Sequence, residues 1–353
     1  MAEDVAIGEL WRAAQAARAA GDSVGACREL DALLSRAPAH VAALRARASL
    51  APETERATWT ERLADAATVE SLDIALALRD GPMAARAEAL ARRAIAERPQ
   101  LARGHRMLMD LLRRQGRLDE AAAAAAAAPD TPETRATRAA LLGTPGTSDV
   151  VEETPPIRFV VRDGFLTMAR HAEALAFALA GGDTLETAMV GGDDSEWKVD
   201  PEARRARAGY ELAAVRDWFL PLVEAELETA LPGLGLAPFE RGETELQLTA
   251  YNDGEYYRTH ADRDDRGLTG RWVTFVYYFN HAPRAFDGGE LILFDGDAAR
   301  GTMRSDAFTT ILPVDNRLVI FPSAAQHEVR TVRCRSGAYV DSRFTLNGWF
   351  QRA

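Results

Sequence analysis

One short segment of the chain carries an imidazole and a carboxylate two positions apart, His260 and Asp262. Strand-like sequence flanks this segment. Successive side chains of an extended chain alternate between faces, so these two should point the same way. One imidazole and one carboxylate directed at a single point supply two of the three protein ligands of a facial iron site. The remaining ligand of such a site has to come from elsewhere in the chain.

His327 is the candidate third ligand, and it follows an apolar, strand-like run at residues 318–321. An antiparallel sandwich could bring it beside His260. Two histidines and one carboxylate occupy one face of an octahedral Fe(II) and leave room for a bidentate cosubstrate and O₂. A structural zinc would favour a closed site with cysteine ligands, and the chain has no Cys-x-x-Cys. Asp264 and Asp265 are alternative carboxylates, which we interpret as solvated loop charge.

An open iron site that uses a keto acid also needs a cation for the far carboxylate of that acid. Arg343 begins a strand-like run and carries a planar guanidinium that can hold a carboxylate through two parallel bonds. Tyr278 ends another strand-like run and could donate a second hydrogen bond. The alternative cations are nearer to His327 in sequence and are interpreted as exposed strand charge: Arg330, Arg333 and Arg335.

Composition limits the classes of function. The chain has 353 residues, and its 53 acidic against 42 basic side chains give a formal net charge of −11. This charge argues against a nucleic-acid partner. Cys27 and Cys334 form no disulfide framework, so we expect a reducing cytoplasm. The sequence shows neither a signal peptide nor a long apolar run, so we expect no membrane span.

The first part of the chain, residues 1–143, has the Ala-, Arg-, Leu- and Glu-rich composition of helices. The order of helix, Gly turn, Ala-rich helix and Pro occurs near residues 9–38 and again at 101–129, which is typical of tetratricopeptide-like hairpins. A plain helical bundle without a groove is the alternative. Residues 144–157 are rich in Pro, Gly, Ser and Thr and predict a linker.

The third part, residues 158–353, predicts a double-stranded β-helix (jelly roll) flanked by helices. Helices are predicted at 168–180 and at 210–231, the second ended by Pro232 and Gly233. Seven later strands are predicted at 244–251, 272–280, 290–294, 308–312, 317–321, 328–332 and 339–351. The predicted fold class is therefore an α+β multidomain protein with N-terminal helical hairpin repeats. Arg204, Arg205 and Arg207 lie in a loop-rich stretch and are interpreted as a solvated run.

The last part of the chain resembles the prolyl 4-hydroxylase-like Fe(II)/2-oxoglutarate dioxygenases, and five elements in order carry the resemblance. They are Tyr251-x-x-Gly-x-x-Tyr-x-x-His-x-Asp262, Tyr277-Tyr278, Asp287-Gly-Gly-Glu-Leu291, Phe321-Pro-Ser with His327-Glu-Val329, and Arg343 to Trp349-Phe350. The resemblance implies that His260, Asp262 and His327 bind iron. It also implies that Arg343, Tyr278 and Tyr251 bind 2-oxoglutarate.

The activity that the resemblance implies couples decarboxylation of 2-oxoglutarate to succinate with hydroxylation of a C–H bond. It further implies Fe(II), O₂ and, as a candidate reductant, ascorbate. The helical N-terminal part favours a peptide or protein substrate, because stacked helical hairpins offer concave peptide-binding surfaces. Proline as the target rests on the resemblance alone. A free amino acid or small metabolite is an alternative substrate, and a non-catalytic interaction adaptor is an alternative of another class.

Overall fold

The computed structural model describes residues 2–67, 72, 75, 78, 83–142, 156–191, 197–263, 270–297 and 302–353. The chain divides into two compact units, one of Met1–Leu111 with Ala127–Pro129 and one of Leu112–Ala126 with Asp130–Ala353. Most of the predicted linker, 144–155, lies outside the described residues. The domain boundaries given above therefore stay a prediction.

Ten α-helices lie within the described residues. They are α1 Ala2–Ala19, α2 Ser23–Arg36, α3 Val41–Leu50, α4 Glu53–Ala66, α5 Ala84–Glu97, α6 Ala102–Arg114, α7 Leu118–Ala127, α8 Pro132–Leu142, α9 Met168–Ala180 and α10 Ala213–Leu234. Two of them end close to the predicted breakers, α1 before Gly21 and α2 before Pro38. No described helix has the length and apolar character needed to cross a lipid bilayer.

The N-terminal unit is built from consecutive helices that pack against one another, α1 on α2, α2 on α3 and α3 on α4. Their contact faces bury apolar side chains, among them Leu30, Leu33 and Leu44. Burying one face of each helix in this way supplies most of its stability, since short helices are marginal alone. The assignment of these helices as tetratricopeptide-like repeats stays a prediction.

Sixteen strands within the described residues form the β-rich part. They are β1 Val160–Asp163, β2 Glu186–Thr187, β3 Val190–Gly191, β4 Trp197–Lys198, β5 Arg204–Arg205, β6 Arg207–Gly209, β7 Arg241–Tyr251, β8 Tyr256–His260, β9 Arg271–Phe279, β10 Asp287–Gly288, β11 Leu291–Phe294, β12 Phe308–Ile311, β13 Arg317–Pro322, β14 His327–Val329, β15 Val332–Arg333 and β16 Arg343–Arg352.

Two antiparallel sheets form the double-stranded β-helix. The larger has the strand order β1-β13-β9-β16-β7-β6-β2 and the smaller β12-β11-β14-β8-β5. One core forms where α9 and α10 cover the larger sheet, around Phe219, Phe275 and Phe344. A second apolar cluster includes Leu293 from the smaller sheet and Phe321 from the larger one. The predicted jelly roll with flanking helices is confirmed.

Several predicted boundaries were wrong by a few residues, and two of these differences have a clear physical reason. The helix predicted to stop at Pro232 continues through it to Leu234 and ends at Gly235, which adopts the left-handed conformation at φ +70°. Glycine tolerates this conformation, and its backbone N–H donates to the carbonyls of Leu231 and Pro232. The strand predicted from Tyr339 begins instead at Arg343, because residues 339–341 form a 3₁₀ turn.

A buried ion pair joins the end of α6 to the smaller sheet inside the second unit. Arg113 donates to the two carboxylate oxygens of Asp295 at 3.2 and 2.8 Å, and both side chains are at most 6% exposed. The backbone N–H of Ile157 also donates to Asp295. Breaking such a pair by removing one partner leaves a buried charge uncompensated, which is strongly destabilising.

Candidate active site

Three potential metal ligands come together where the smaller sheet meets the larger one. His260, Asp262 and His327 offer ligand atoms that all lie within 4.8 Å of one another. Asp262 Oδ1 lies 3.7 Å from His260 Nε2, and Asp262 Oδ2 lies 3.5 Å from His327 Nε2. The arrangement has the two-histidine, one-carboxylate composition of a facial site with open positions.

Strand pairing brings the two histidines together, although they are distant in sequence. In the antiparallel pair of β8 and β14, His260 lies directly opposite His327. Each imidazole has its Nδ1 atom at a backbone carbonyl, that of Arg258 at 2.7 Å for His260 and that of Ala325 at 2.9 Å for His327. These contacts orient the rings and leave both Nε2 atoms free to bind a metal ion.

Asp262 is held by the neighbouring strands. Its backbone N–H donates to the carbonyl of Ser323 at 2.9 Å, and its Oδ2 accepts a hydrogen bond from the Thr274 hydroxyl at 2.8 Å. Burial opposes ionisation, but the surrounding groups together, His327 foremost, more than offset it and hold the pKa of Asp262 below its usual value. Burial lowers the pKa of His260 to about 3. A neutral imidazole beside an ionised carboxylate fits a divalent cation.

A buried guanidinium lies in the same cavity. Arg343 is 2% exposed, yet its Nε and Nη1 atoms have no hydrogen-bond partner within the described part of the chain. Its Cζ atom lies 5.0 Å from the Tyr251 ring centroid and 4.9 Å from that of Tyr278. Buried polar groups are normally paired, so these free N–H groups point to an anionic ligand and fit the far carboxylate of 2-oxoglutarate.

Two tyrosines flank this guanidinium. Tyr251 pairs with Arg343 across β7 and β16, and Tyr278 lies on β9 with its hydroxyl buried and unpaired within the described residues. Burial raises the pKa of Tyr278 to about 12, although Arg343 opposes the shift. The hydroxyl of Tyr278 therefore keeps its proton at neutral pH and can donate a hydrogen bond to a carboxylate.

All six predicted site residues line one cavity of about 940 Å³. The metal-ligand candidates and the guanidinium share this cavity with apolar side chains that include Val276, Leu291 and Val329. Apolar side chains at these positions lower the local polarity and strengthen electrostatic contacts there.

Residues 246–351 match the family model of the 2OG-Fe(II) oxygenase superfamily. This region is a 2OG-Fe(II) oxygenase domain. The matched residues include all six predicted site residues and both strands that carry the histidines. The resemblance stated from the sequence motifs is thereby confirmed.

A curated relative and two solved structures are similar to the chain. An uncharacterized PKHD-type hydroxylase of Synechocystis sp. is 44% identical over 131 residues, which is 37% of this chain and 43% of that protein's own length. A prolyl-4-hydroxylase of Pseudomonas putida is 23% identical with a TM-score of 0.40, covering 55% of this chain and 92% of that one. A Trichoplax adhaerens prolyl hydroxylase, solved with a hypoxia inducible factor peptide fragment, is 18% identical with a TM-score of 0.43, covering 55% and 83%.

The alternative site residues named from the sequence differ in their outcomes. Asp264 and Asp265 lie outside the described residues. The alternative cations are exposed, as expected: Arg330, Arg333 and Arg335. Arg204 contradicts the prediction of a solvated run, because it is 7% exposed, whereas its neighbour Arg205 has a side chain 51% exposed. The pairing of β5 with β8 buries Arg204, and nothing in the local sequence predicts that pairing.

A glycine packs against the side chain of Arg343, and it leaves room for that side chain because it has no Cβ atom. Gly289 has φ +71°, and a Cβ added to it would lie 2.6 Å from Arg343 Cδ and 2.9 Å from Val332 Cγ2. We expect Gly289→Ala to lower the free energy of unfolding by about 2–4 kcal/mol, from backbone strain and overpacking together. It should also raise the KM for 2-oxoglutarate, because Arg343 must move.

Gly337→Ala is the matched control. Gly337 has a similar φ of +62° but nothing within 4 Å of an added Cβ. Both variants carry the backbone strain, so the difference between them reports the contacts with Arg343 and Val332. Chemical denaturation and the KM for 2-oxoglutarate, measured for both, check the prediction. Equal behaviour of the two variants would contradict it.

Proposed function

We propose that the chain is an Fe(II)- and 2-oxoglutarate-dependent hydroxylase that acts on a side chain of a peptide or protein. The main support for this proposal is that one cavity holds both a two-histidine, one-carboxylate cluster and the buried guanidinium of Arg343, whose Nε and Nη1 atoms are unpaired among the described residues. The chain covers less than half the length of the PKHD-type relative, and activity, substrate and partners are therefore proposals.

His260, Asp262 and His327 would hold Fe(II) through their Nε2 and carboxylate oxygen atoms. When bound, the iron together with 2-oxoglutarate and O₂ supplies the oxidising chemistry, which yields succinate, CO₂ and a hydroxylated C–H position. Thr274 holds the Asp262 carboxylate and the Ser323 carbonyl holds its backbone N–H. The backbone carbonyls of Arg258 and Ala325 orient the two imidazoles.

Arg343 and Tyr278 would bind the far carboxylate of 2-oxoglutarate, and Tyr251 would close the same pocket from β7. A bidentate contact with Arg343 would fix the orientation of the cosubstrate as well as its position. The apolar walls would keep bulk water from the reacting centre. The protein's own share of the reaction is therefore binding, orientation and exclusion of water.

The finer parts of the proposal concern substrate and setting. A prolyl side chain is the proposed target, with the helical unit docking the peptide and ascorbate as the reductant. A cytoplasmic location suits two cysteines that are both free. A free amino acid or small metabolite is the second candidate substrate, and it needs no docking by the helices.

The test has a binding arm and a turnover arm. Anaerobic titration of the protein with Fe(II) and 2-oxoglutarate should give the weak visible charge-transfer band of the chelate, and admission of air should give succinate. A search for products 16 Da heavier, among peptides and free amino acids, then identifies the substrate class. No band and no succinate would overturn the proposal and favour a non-catalytic adaptor.

A further inference from the structure

A second buried guanidinium, that of Arg204, lines the cavity that holds the metal-ligand candidates. Arg204 lies on β5, which pairs with β8 so that Arg204 is opposite Tyr257. Its side chain is 7% exposed. A charged side chain this deeply buried normally has an ionic partner, because leaving water is costly for an unpaired charge.

The contacts of Arg204 are with neutral groups. Its Nη1 donates to the backbone carbonyl of Met189 at 3.3 Å, and its Nη2 donates to Gln247 Oε1 at 3.2 Å. Its Nε has no hydrogen-bond partner among the described residues. A guanidinium has five N–H donors in a fixed fork, so capacity for an anion remains.

Unlike Arg204, each of the other cations that line the cavity has an acidic neighbour, a proposed ligand or access to solvent. Arg271 forms an ion pair with Glu245, and Lys198 lies 4.0 Å from Asp200. Arg343 is the proposed partner of 2-oxoglutarate, and Arg258 is exposed. Within the described part of the chain, no acidic side chain forms an ion pair with Arg204.

Arg204 is separated from the metal-ligand candidates by a single aromatic ring. Its Cζ atom lies 4.7 Å from the centroid of the Tyr257 ring, and that ring stacks on the imidazole of His260 at 3.5 Å. A group bound to Arg204 would therefore lie close to the position where a C–H bond must be presented for hydroxylation.

Polar neighbours also hold Arg204 in a defined place. Gln247, which is 2% exposed, accepts from Arg204 and also from the Thr249 hydroxyl and the Asn347 amide, each at 3.2 Å. Its amide nitrogen donates to the hydroxyl of Tyr210 at 2.6 Å. A guanidinium supported in this way is preorganised, as a specificity group needs to be.

From these observations we infer that Arg204 binds a carboxylate of the substrate, so that the hydroxylated molecule carries a carboxylate near the reacting carbon. The inference rests on the proposed function and adds the substrate's charge to it. Two kinds of substrate would supply such a carboxylate. One is a small carboxylic acid such as an amino acid, and the other is a peptide with a carboxylate at its C-terminus or in a side chain.

The test measures binding to protein loaded with Mn(II) and saturating 2-oxoglutarate, so that no turnover occurs. The probes are N-acetyl amino acids and their matching amides, followed by peptides with a C-terminal acid or amide and with an internal Glu or Gln. Wild type should bind acids in preference to amides by roughly tenfold or more, as a hydrogen-bonded charge pair requires. The peptide pairs show which source the carboxylate has.

Variants assign this preference to Arg204. Arg204→Met should lose the preference for acids, and Arg204→Lys should keep part of it, because the charge remains while the planar fork is lost. Arg205→Met, at the exposed neighbouring position, should behave as wild type. If Arg204→Met fails to fold, Arg204→Lys on the same probes decides.

Equal binding of acids and amides by wild type, including no binding of either, overturns the inference. It is likewise overturned if Arg204→Met keeps the preference for acids, since the guanidinium would then only pack on Tyr257. Succinate formation by wild type is measured separately with Fe(II). Succinate without any preference for acids overturns the role of Arg204 alone, whereas no succinate overturns the proposed function.

Discussion

Asp262→Asn should abolish 2-oxoglutarate decarboxylation. The substitution keeps the size of the side chain but removes the negative charge, and Asp262 is the one carboxylate in the cluster that the described residues form. Loss of groups that merely orient metal ligands costs about 10–100-fold in metal affinity or activity. Loss of a ligand charge should exceed that, so we expect a decrease of at least roughly 100-fold in both Fe(II) affinity and succinate formation.

Metal analysis after dialysis and a succinate assay check this expectation. Asp183→Asn is the control, because Asp183 is an exposed carboxylate on a short 3₁₀ turn. Thermal unfolding without metal should differ little between wild type and Asp262→Asn, since Thr274 can still bond to the amide oxygen. An Asp262→Asn protein that retains iron and turnover would show that another carboxylate serves as the ligand.

Arg343→Met should raise the KM for 2-oxoglutarate by about 10–100-fold. A hydrogen bond to a charged group contributes about 1.5–3 kcal/mol, and each 1.4 kcal/mol is a factor of ten in affinity. The far carboxylate would lose its ionic partner in a site where Arg343 is 2% exposed. The KM of Arg343→Lys should lie between those of wild type and Arg343→Met, because an ammonium keeps the charge but cannot form the bidentate contact.

Stability gives a second measure of the same interaction. Wild type without ligand buries a guanidinium with two unpaired N–H positions, so Arg343→Met should be no less stable than wild type in the absence of 2-oxoglutarate. At the same concentration, 2-oxoglutarate should raise the Tm of wild type more than that of Arg343→Met, because the variant binds it more weakly. Arg330→Met, at an exposed position, is the control. Unchanged cosubstrate affinity in Arg343→Met would move the role to another cation.

The candidate iron ligands were predictable because their signal is local and chemical. His-x-Asp on an extended segment constrains two side chains to one face, and a third ligand of the right type follows another strand. The register that pairs His260 with His327 was not predictable, since it depends on how β8 and β14 align within the smaller sheet. Only the requirement for a complete ligand set linked the two segments.

Arg204 shows what sequence reasoning missed and why. Two adjacent arginines in a loop-rich stretch look solvated, and nothing local distinguishes the first from the second. Its burial comes from Tyr257 on β8 and Gln247 on β7, which are brought to it by the fold. Tertiary packing overrides a local signal in helix α10 as well. The helix packs on the larger sheet and continues past Pro232, which would end an isolated helix.

The buried pair of Arg113 and Asp295 has a consequence for any attempt to work with the catalytic region alone. A fragment that starts at residue 144 or 158 removes Arg113 and leaves the Asp295 carboxylate enclosed without its guanidinium. Inactivity of that fragment would then report a misfolded sheet, not a missing substrate-docking surface. A fragment that starts at Leu101 keeps α6 whole and retains the pair, so its Asp295 carboxylate keeps the guanidinium partner.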